Sequence, residues 1–523
     1  MNRNTLAGRA AAPVLHSLRG DGCSLPGRQV GRGSRRAALL VASASIFFAL
    51  LPGCTVGPDY HPPSMSVPPH FTTPGSSARP AEIPAIELKR WWETFNDPVL
   101  NTLIEQAIVT NLDVRLAEAR VREARAQFEA TRATLAPTLD GTASYTRSRF
   151  GSTTIGSPAS GGSSTAPITP IGGAVNLYQA GFDAGWELDV FGGKRRAMEA
   201  ARDNLQAQSE ARRNALVTLL GEVAQNYISL RGFQYQLAVV TNNAAVQQDT
   251  LHLQKSKLQA GIATDLDVAN AETQAATTES QIPTLRTQIQ QAIHQLSVLL
   301  DREPTALEPQ LETVAPLPVG PPAIPPGLPS ELLRRRPDVR QAERNLAAAN
   351  ANIGVATADL FPKLNLTGAL GVESLSLKSL ANASSAFWSF GPAISWRIFD
   401  AGQIRANIRV QRARAQESMI QYRQVVLQSL QDVENTLVAY HQEQIRRGSL
   451  QQAVDSSRRA VKLATRLNQA GVVDFLNVLN AQLTLYQSEI QLAQSEQNVS
   501  TDLVALYKSL GGGWEVTEPR ASR

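Results

Sequence analysis

The hydrophobic positions of this chain change rhythm along its length. Between Gly181 and Val190 they alternate with polar ones. Phe182, Ala184, Trp186, Leu188 and Val190 fall on one side, and Gly181, Asp183, Gly185, Glu187 and Asp189 on the other. Farther on, Leu364, Leu366, Leu370 and Val372 oppose Lys363, Asn365, Thr367 and Glu373. Another run sets Trp388, Phe390, Ile394, Trp396 and Ile398 against Gly391, Ser395 and Arg397. A weaker one places Leu139, Ala143 and Tyr145 together. A period of two is the pleat of a β-strand, so four strands are expected.

The rest of the chain keeps a helical period. No proline interrupts Lys194 to about Lys257, and from Gln403 to about Gln469 the one breaker is Gly448. At 1.5 Å per residue these helices reach roughly 95–100 Å. Leu216, Leu220, Val223, Tyr227 and Leu230 recur at coiled-coil spacing, as do Leu476, Leu479, Leu483, Tyr486 and Ile490, and each seam calls for a partner helix. Helices over 98–135 and 262–302 add up to one long helix and are expected to stack beside it, with Pro283 kinking the second or ending a turn. The helical hairpins turn at "LQAGIATD" and "NQAGVVDF", where Gly261 and Gly471 supply the left-handed residue that closes a helix end.

The chain is written twice. "DVRLAEARVREARAQFEATRATLAPTL" from Asp113 aligns without a gap with "DVRQAERNLAAANANIGVATADLFPKL" from Asp338, an offset of 225. "AGIATDLDVANA" from Ala260 matches "AGVVDFLNVLNA" from Ala470 at an offset of 210. An extra Gly/Ser/Thr/Pro stretch in the first half accounts for the difference. The expected organisation is a signal segment over 1–53, whose true start falls later if residues 1–30 are surplus, and a lipidated Pro-rich tether over 54–90. A first repeat over 91–303, a Pro-rich linker over 304–330, a second repeat over 331–512 and a tail over 513–523 follow.

Strand length points to a membrane. Runs of about 10–13 residues suit tilted membrane strands, which need about 9–11. Trp388 and Trp396 are eight residues apart. That is about 26 Å along a strand, near the apolar band between aromatic girdles. A soluble sheet with one face on a core is the alternative. Lipid tolerates sheets only as closed barrels, and four strands cannot close alone, so the barrel must be shared between chains. Mostly polar inner faces favour a wide, wet barrel of three chains over a filled one of two. The loop 150–173 and the "SLSLKSLANASS" hairpin are expected outside the cell, and the helix hairpin tips farthest from the membrane.

Charge changes this picture little. The formal charge is +5, but residues 1–53 carry seven Arg and one Asp, so the remainder stands at −1 and no nucleic-acid surface is implied. Arg32, Arg35 and Arg36 precede the apolar run "AALLVASASIFFALL" and then "LPGC", the order of an export signal ending at a cysteine. Cys54 is therefore the expected lipidation site, carrying S-diacylglycerol and an N-acyl chain. An ordinary cleaved signal with a free thiol is the alternative. No cofactor and no metal are expected.

Catalytic motifs are wanting. "FGGKRR" at Phe191 is not a phosphate loop: Leu188 stands where the first glycine belongs, and Arg195 replaces Ser or Thr. The six histidines, at 16, 61, 70, 252, 294 and 441, lack metal-ligand spacing, and the chain is not read as an enzyme.

The motifs "CTVGPDYHPP", "WWETFNDPVLNTLIEQAI", "WELDVFGGKRR", "PSELLRRRPDVRQAERNL", "LFPKLNLTG" and "AGVVDFLNVLNAQ" resemble those of outer-membrane factors of tripartite efflux systems. The likeness is to the NodT-type lipoproteins of the TolC/OprM superfamily and covers essentially the whole mature chain. It implies a mixed α/β membrane protein: a homotrimer with a twelve-stranded outer-membrane barrel and a twelve-helix periplasmic tunnel. It also implies docking to a periplasmic adaptor and an inner-membrane pump of the resistance–nodulation–division type. Gly192, Gly193 and Gly402 then mark corners where a membrane strand becomes a tunnel helix. In such relatives acid–base contacts at the hairpin tips close the tunnel, and matching the tips points to Asp265, Asp267, Arg466 and Asp474 beside Gly261 and Gly471. Val473 occupies a position where close relatives often have aspartate. Capping is the competing role: Thr264 with Asp267 makes a capping box, and Asp474 can cap its own helix. The reading is a passive exit duct for small toxic compounds. A duct for exported protein and a lipid-tethered periplasmic coiled-coil scaffold are the alternatives.

Overall fold

The computed structural model describes residues 55–69, 71, 88–149, 174–321 and 329–517. The expected signal segment, Cys54, the whole loop 150–173 and about half of the tether lie outside the described residues, as do parts of the linker and tail.

A 3₁₀ turn, Trp91–Phe95, precedes α1 (Pro98–Thr110) and α2 (Leu112–Ala133). Strands β1 (Thr138–Arg149) and β2 (Ala174–Leu188) lead into α3 (Gly193–Gln259), followed by α4 (Asp265–Glu279), α5 (Gln281–Leu299) and the single turn α6 (Glu308–Leu311). The second half gives α7 (Pro329–Arg335), α8 (Pro337–Ala358), β3 (Lys363–Ser374), β4 (Ala386–Ser395), α9 (Gln403–Gln469) and α10 (Phe475–Ser509). The duplication is thus structural: α2–β1–β2–α3 is answered by α8–β3–β4–α9. Both long helices contain 67 residues, roughly 100 Å.

Two expected interruptions resolve differently. Gly448 lies exposed inside an unbroken α9, where an added Cβ would meet nothing. An exposed helix glycine costs only about 1 kcal/mol, too little to end a helix of this length. The break near Pro283 is real but falls at Ser280, between α4 and α5. Pro283 itself sits in the first turn of α5, where its missing N–H has no intrahelical partner to lose. In the second half Ala493 holds the matching place, and α10 runs 35 residues without a break.

The main core lies around the middle of α3. Leu216, Leu220, Val223, Tyr227 and Leu230 are all buried, packed with Leu100 and Leu103 of α1, Ile293 and Leu296 of α5 and Leu503 of α10. Trp91 stacks on Tyr507 with ring centroids 5.1 Å apart. On α10 the expected seam is displaced by one position. Leu476 is exposed and Leu479, Leu483, Tyr486 and Ile490 are half-buried, whereas Phe475 and Val478 are buried against Leu251 and Ala271. The face of α10 toward the first hairpin is therefore set by Phe475 and Val478, and the Leu476 stripe is left partly open.

All four strands form one antiparallel sheet in the order β1-β2-β3-β4. Within the chain β1 and β4 are its edges. Two strands end earlier than the alternation suggested: Val190 lies beyond β2, and Trp396 and Ile398 beyond β4.

Candidate functional site

The register of the sheet sorts its side chains into two chemically distinct faces. Gly141, Phe182, Leu370 and Trp388 form one row across all four strands, and Leu139, Ala184, Gly368 and Phe390 the next. Leu188, Leu364 and Ile394 form a third. Because side chains alternate, the facing rows carry Asp140, Asp183, Ala369 and Ser389, then Thr138, Gly185, Thr367 and Gly391. The apolar face is bare. Trp388, Phe390 and Ile394 are each at least 70% exposed, so among the described residues no core of this chain covers them, which speaks against a soluble sheet packed on its own core. On the polar face Asp140 and Asp183 are direct cross-strand partners, and the Thr142 hydroxyl donates to Asp183 at 2.9 Å.

Below the sheet, each descending strand turns into a long helix. Gly192 and Gly402 are the residues that turn, with φ of 80° and 88°, a region costly for any residue with a Cβ. Gly193 plays a different part from the one expected. It is the first residue of α3, outside the left-handed region, and an added Cβ would lie 2.9 Å from the Ala358 Cβ, so it permits close approach rather than a turn. An aspartate holds each new helix by its free N–H groups. Asp189 accepts from the backbone N–H of Lys194 and Arg195 at 3.1 and 2.8 Å. Asp400 accepts from Gly402 and Ile404 at 2.9 and 2.7 Å. The bonds from Ile404 and then Gly402 hold the Asp400 carboxyl below its usual range.

At the far end the two hairpins close alike. Gly261 and Gly471 have φ of 74° and 71°. Ile262 N–H donates to Lys257 O and Val472 N–H to Leu467 O, both at 2.9 Å, the outer bond of a Schellman closure. Asp267 is taken up by capping: its carboxylate accepts from the Thr264 N–H and hydroxyl at 3.0 and 2.7 Å, and its own N–H donates to Thr264 Oγ1 at 3.2 Å. Asp474 departs from the capping expectation. It occupies the N-cap of α10 but its side chain makes no capping bond. Asp265, Arg466 and Asp474 are exposed. The tips are brought together by the apolar cluster of Leu251, Ala271, Phe475 and Val478, not by these charges.

A family model described as outer membrane efflux protein matches residues 103–302 and 328–512, which contain all four strands and both long helices. The chain belongs to this family. The solvent efflux pump outer membrane protein SrpC of Pseudomonas putida is 33% identical over 475 residues, 90% of this chain and 97% of its own. The cation efflux system protein CusC of Escherichia coli is 32% identical over 465 residues, covering 89% and 97%. The solved outer-membrane channel OprN is 35% identical with a TM-score of 0.81, covering 88% of this chain and all of that one. The fold is thus that of a TolC-like outer-membrane channel, and the protein is an outer-membrane efflux channel.

Some residues of this channel escaped the sequence. Asp189 and Asp400 cap equivalent corners from positions 211 apart, against the 210 of the flanking match, so the alignment of repeats does not pair them. The "TVGPD" stretch after Cys54 has no periodicity to read, yet Val56 N–H donates to Phe191 O at 3.1 Å, at the first corner. The described start of the expected tether is seated, not loose.

Proposed function

We propose that three copies close a twelve-stranded barrel and act as the exit duct of a tripartite efflux system for small toxic compounds. The observation that carries this reading is the bare apolar face of a sheet with two open edges. Four strands cannot satisfy their edge N–H and C=O groups in lipid, and pairing β4 of one copy with β1 of the next does so around a closed ring. The apolar rows then meet lipid and the Asp140 and Asp183 rows line the lumen. Asp140, Asp183, Glu187 and Glu373 outnumber Lys363 on that face, so the lumen favours cationic over anionic solutes.

Cys54 is the proposed acylated residue, which tethers the mature chain to the outer membrane. The tips are the proposed docking end for a periplasmic adaptor bound to an inner-membrane pump. Ile262 and Leu266 on one tip, and Val472 and Leu476 on the other, are exposed apolar pairs in matching positions. The scaffold alternative gives the apolar sheet face no role, and the efflux relatives favour small solutes over exported protein.

Drug-susceptibility measurement in a strain lacking its own outer-membrane channel, supplied with this chain and its adaptor and pump, tests the reading. Restored resistance is the expected result. Unchanged susceptibility with the protein assembled in the outer membrane would contradict it.

A further inference from the structure

The strap formed by the first described residues is bound at every step. Thr55 lies against the first corner: a Cβ on Gly192 would stand 2.7 Å from the Thr55 Cγ2 and 2.9 Å from its Cα. Gly57, at φ 94°, passes so close to α8 that an added Cβ would lie 2.5 Å from the Gly354 Cα. Asn350 of α8 donates to the Pro58 carbonyl at 3.1 Å, and the Tyr60 hydroxyl donates to Glu343 at 3.4 Å. The strap therefore touches α3 of the first repeat and α8 of the second.

Arg196, in the first turn of α3, holds it. Its side chain is only 5% exposed. Nε donates to the Val56 carbonyl at 3.2 Å, and Nη2 to the Gly57 carbonyl at 3.4 Å and to Asp59 at 2.6 Å. Nη1 pairs with Glu199 at 2.9 Å. A guanidinium spreads five donors in a fixed plane, and here that fork reads backbone carbonyls of an irregular segment. Gly354 gives it room, since a Cβ there would stand 2.8 Å from the Arg196 Cγ and 3.0 Å from the Val56 carbonyl oxygen. Strap, arginine and α8 glycine are mutually fitted.

We infer that Arg196 and Gly354 form a docking site for the N-terminal strap, holding the acylated end of the mature chain at the strand-to-helix corner so that the lipid and the barrel enter the membrane as one unit. Cys54 is one peptide bond from Thr55, so a strap pinned at Thr55–Asp59 fixes where the acyl chains start. A loose tether would instead let the sheet diffuse relative to its anchor. Arg196 is a positioning residue in this account. The inference rests on the reading of Cys54 as acylated, and its test separates the two.

The test uses the full-length chain in outer membranes, as wild type, Arg196→Ala and Gly354→Ala. Palmitate incorporation, hydrogen exchange of the peptide covering 55–60, and the amount of assembled oligomer are measured together. Gly354→Ala sets a methyl group against Arg196 and the Val56 carbonyl while keeping the guanidinium and improving helix propensity, so it disturbs the docking without removing the arginine and guards against loss of fold. In the wild type the strap amides are expected to be protected and palmitate incorporated. In both variants palmitate uptake should persist, strap exchange rise about tenfold or more, and assembled oligomer fall severalfold. Strap amides that exchange freely in the wild type, or variants that release the strap yet assemble normally, would overturn the inference. A protected strap in a wild type that takes up no palmitate would overturn the acylation reading and the coupling with it.

Discussion

Trp186 and Trp396 occupy the same place in the two halves of the chain, 210 residues apart, and make the same bond. The Trp186 indole N–H donates to the Leu135 carbonyl at 2.9 Å, and that of Trp396 to Leu360 at 3.1 Å. Each carbonyl belongs to the corner that leads up into the preceding strand, so each tryptophan ties the foot of a β-hairpin. A tryptophan at a membrane interface puts its ring toward lipid and its N–H toward a polar partner. Replacing either by Phe keeps most of the ring and removes the bond. The expected loss is about 1 kcal/mol per site, read as a lower dissociation temperature of the assembled protein on unheated gels. Equal losses at the two sites are expected. No loss at either would show that the bond is not made in the membrane.

The corner glycines make a graded prediction. Gly192→Ala and Gly402→Ala both force a side chain into the left-handed region, at about 1–2 kcal/mol. Around Gly402 an added Cβ meets nothing within 4 Å, whereas at Gly192 it strikes Thr55. Gly192→Ala is therefore expected to destabilise more, and to raise hydrogen exchange in the strap, which Gly402→Ala leaves unchanged.

At the tips, capping and gating separate by mutation. Asp267→Ala removes the capping box and should cost about 1 kcal/mol of stability in denaturant titration. Asp474→Ala breaks no capping bond and should cost little. If the exposed charges close the tunnel between neighbouring chains, Asp474→Ala and Arg466→Ala raise single-channel conductance without lowering stability. A change in stability with conductance unaltered would assign both residues to structure alone.

Burial pushes the Asp502 carboxyl up to about 6, with Glu443 acting in the same direction. Its folded value lies above the unfolded one, so its contribution to stability is full at low pH and is lost as pH rises through about 6. Burial also raises the carboxyls of Glu496 and Asp203. Thermal unfolding followed by circular dichroism should show Asp502→Asn stabilising the protein near pH 7.5, by on the order of 1 kcal/mol after solvent screening, with a smaller gain near pH 5.

Much of this fold was legible because its signals are periodic. The alternation through Phe182, Trp186, Leu370 and Trp388 survives in the register of the sheet, since one bare face demands one consistent parity. Gly192, Gly402, Gly261 and Gly471 were legible for the same reason they are needed, their position at the ends of long helical runs. What stayed hidden depends on contacts between distant segments. Nothing local in Thr55–Asp59 marks a strap, because its partners Arg196, Asn350 and Gly354 lie 137 to nearly 300 positions away. The shift of the α10 seam from Leu476 to Phe475 is likewise set by Leu251 and Ala271, not by spacing within α10. Among the tip residues, sequence alone named Asp267 and Asp474 as equals, and only the placement of their carboxylates separates a cap from a free charge.

The proposed duct depends on a barrel shared by three chains. The mass of the unheated protein extracted from outer membranes in mild detergent, measured by light scattering with the detergent subtracted, tests it most directly. A mass of three chains is expected. A stable monomer, or a protein freed into solution by removing its lipid anchor alone, would contradict it.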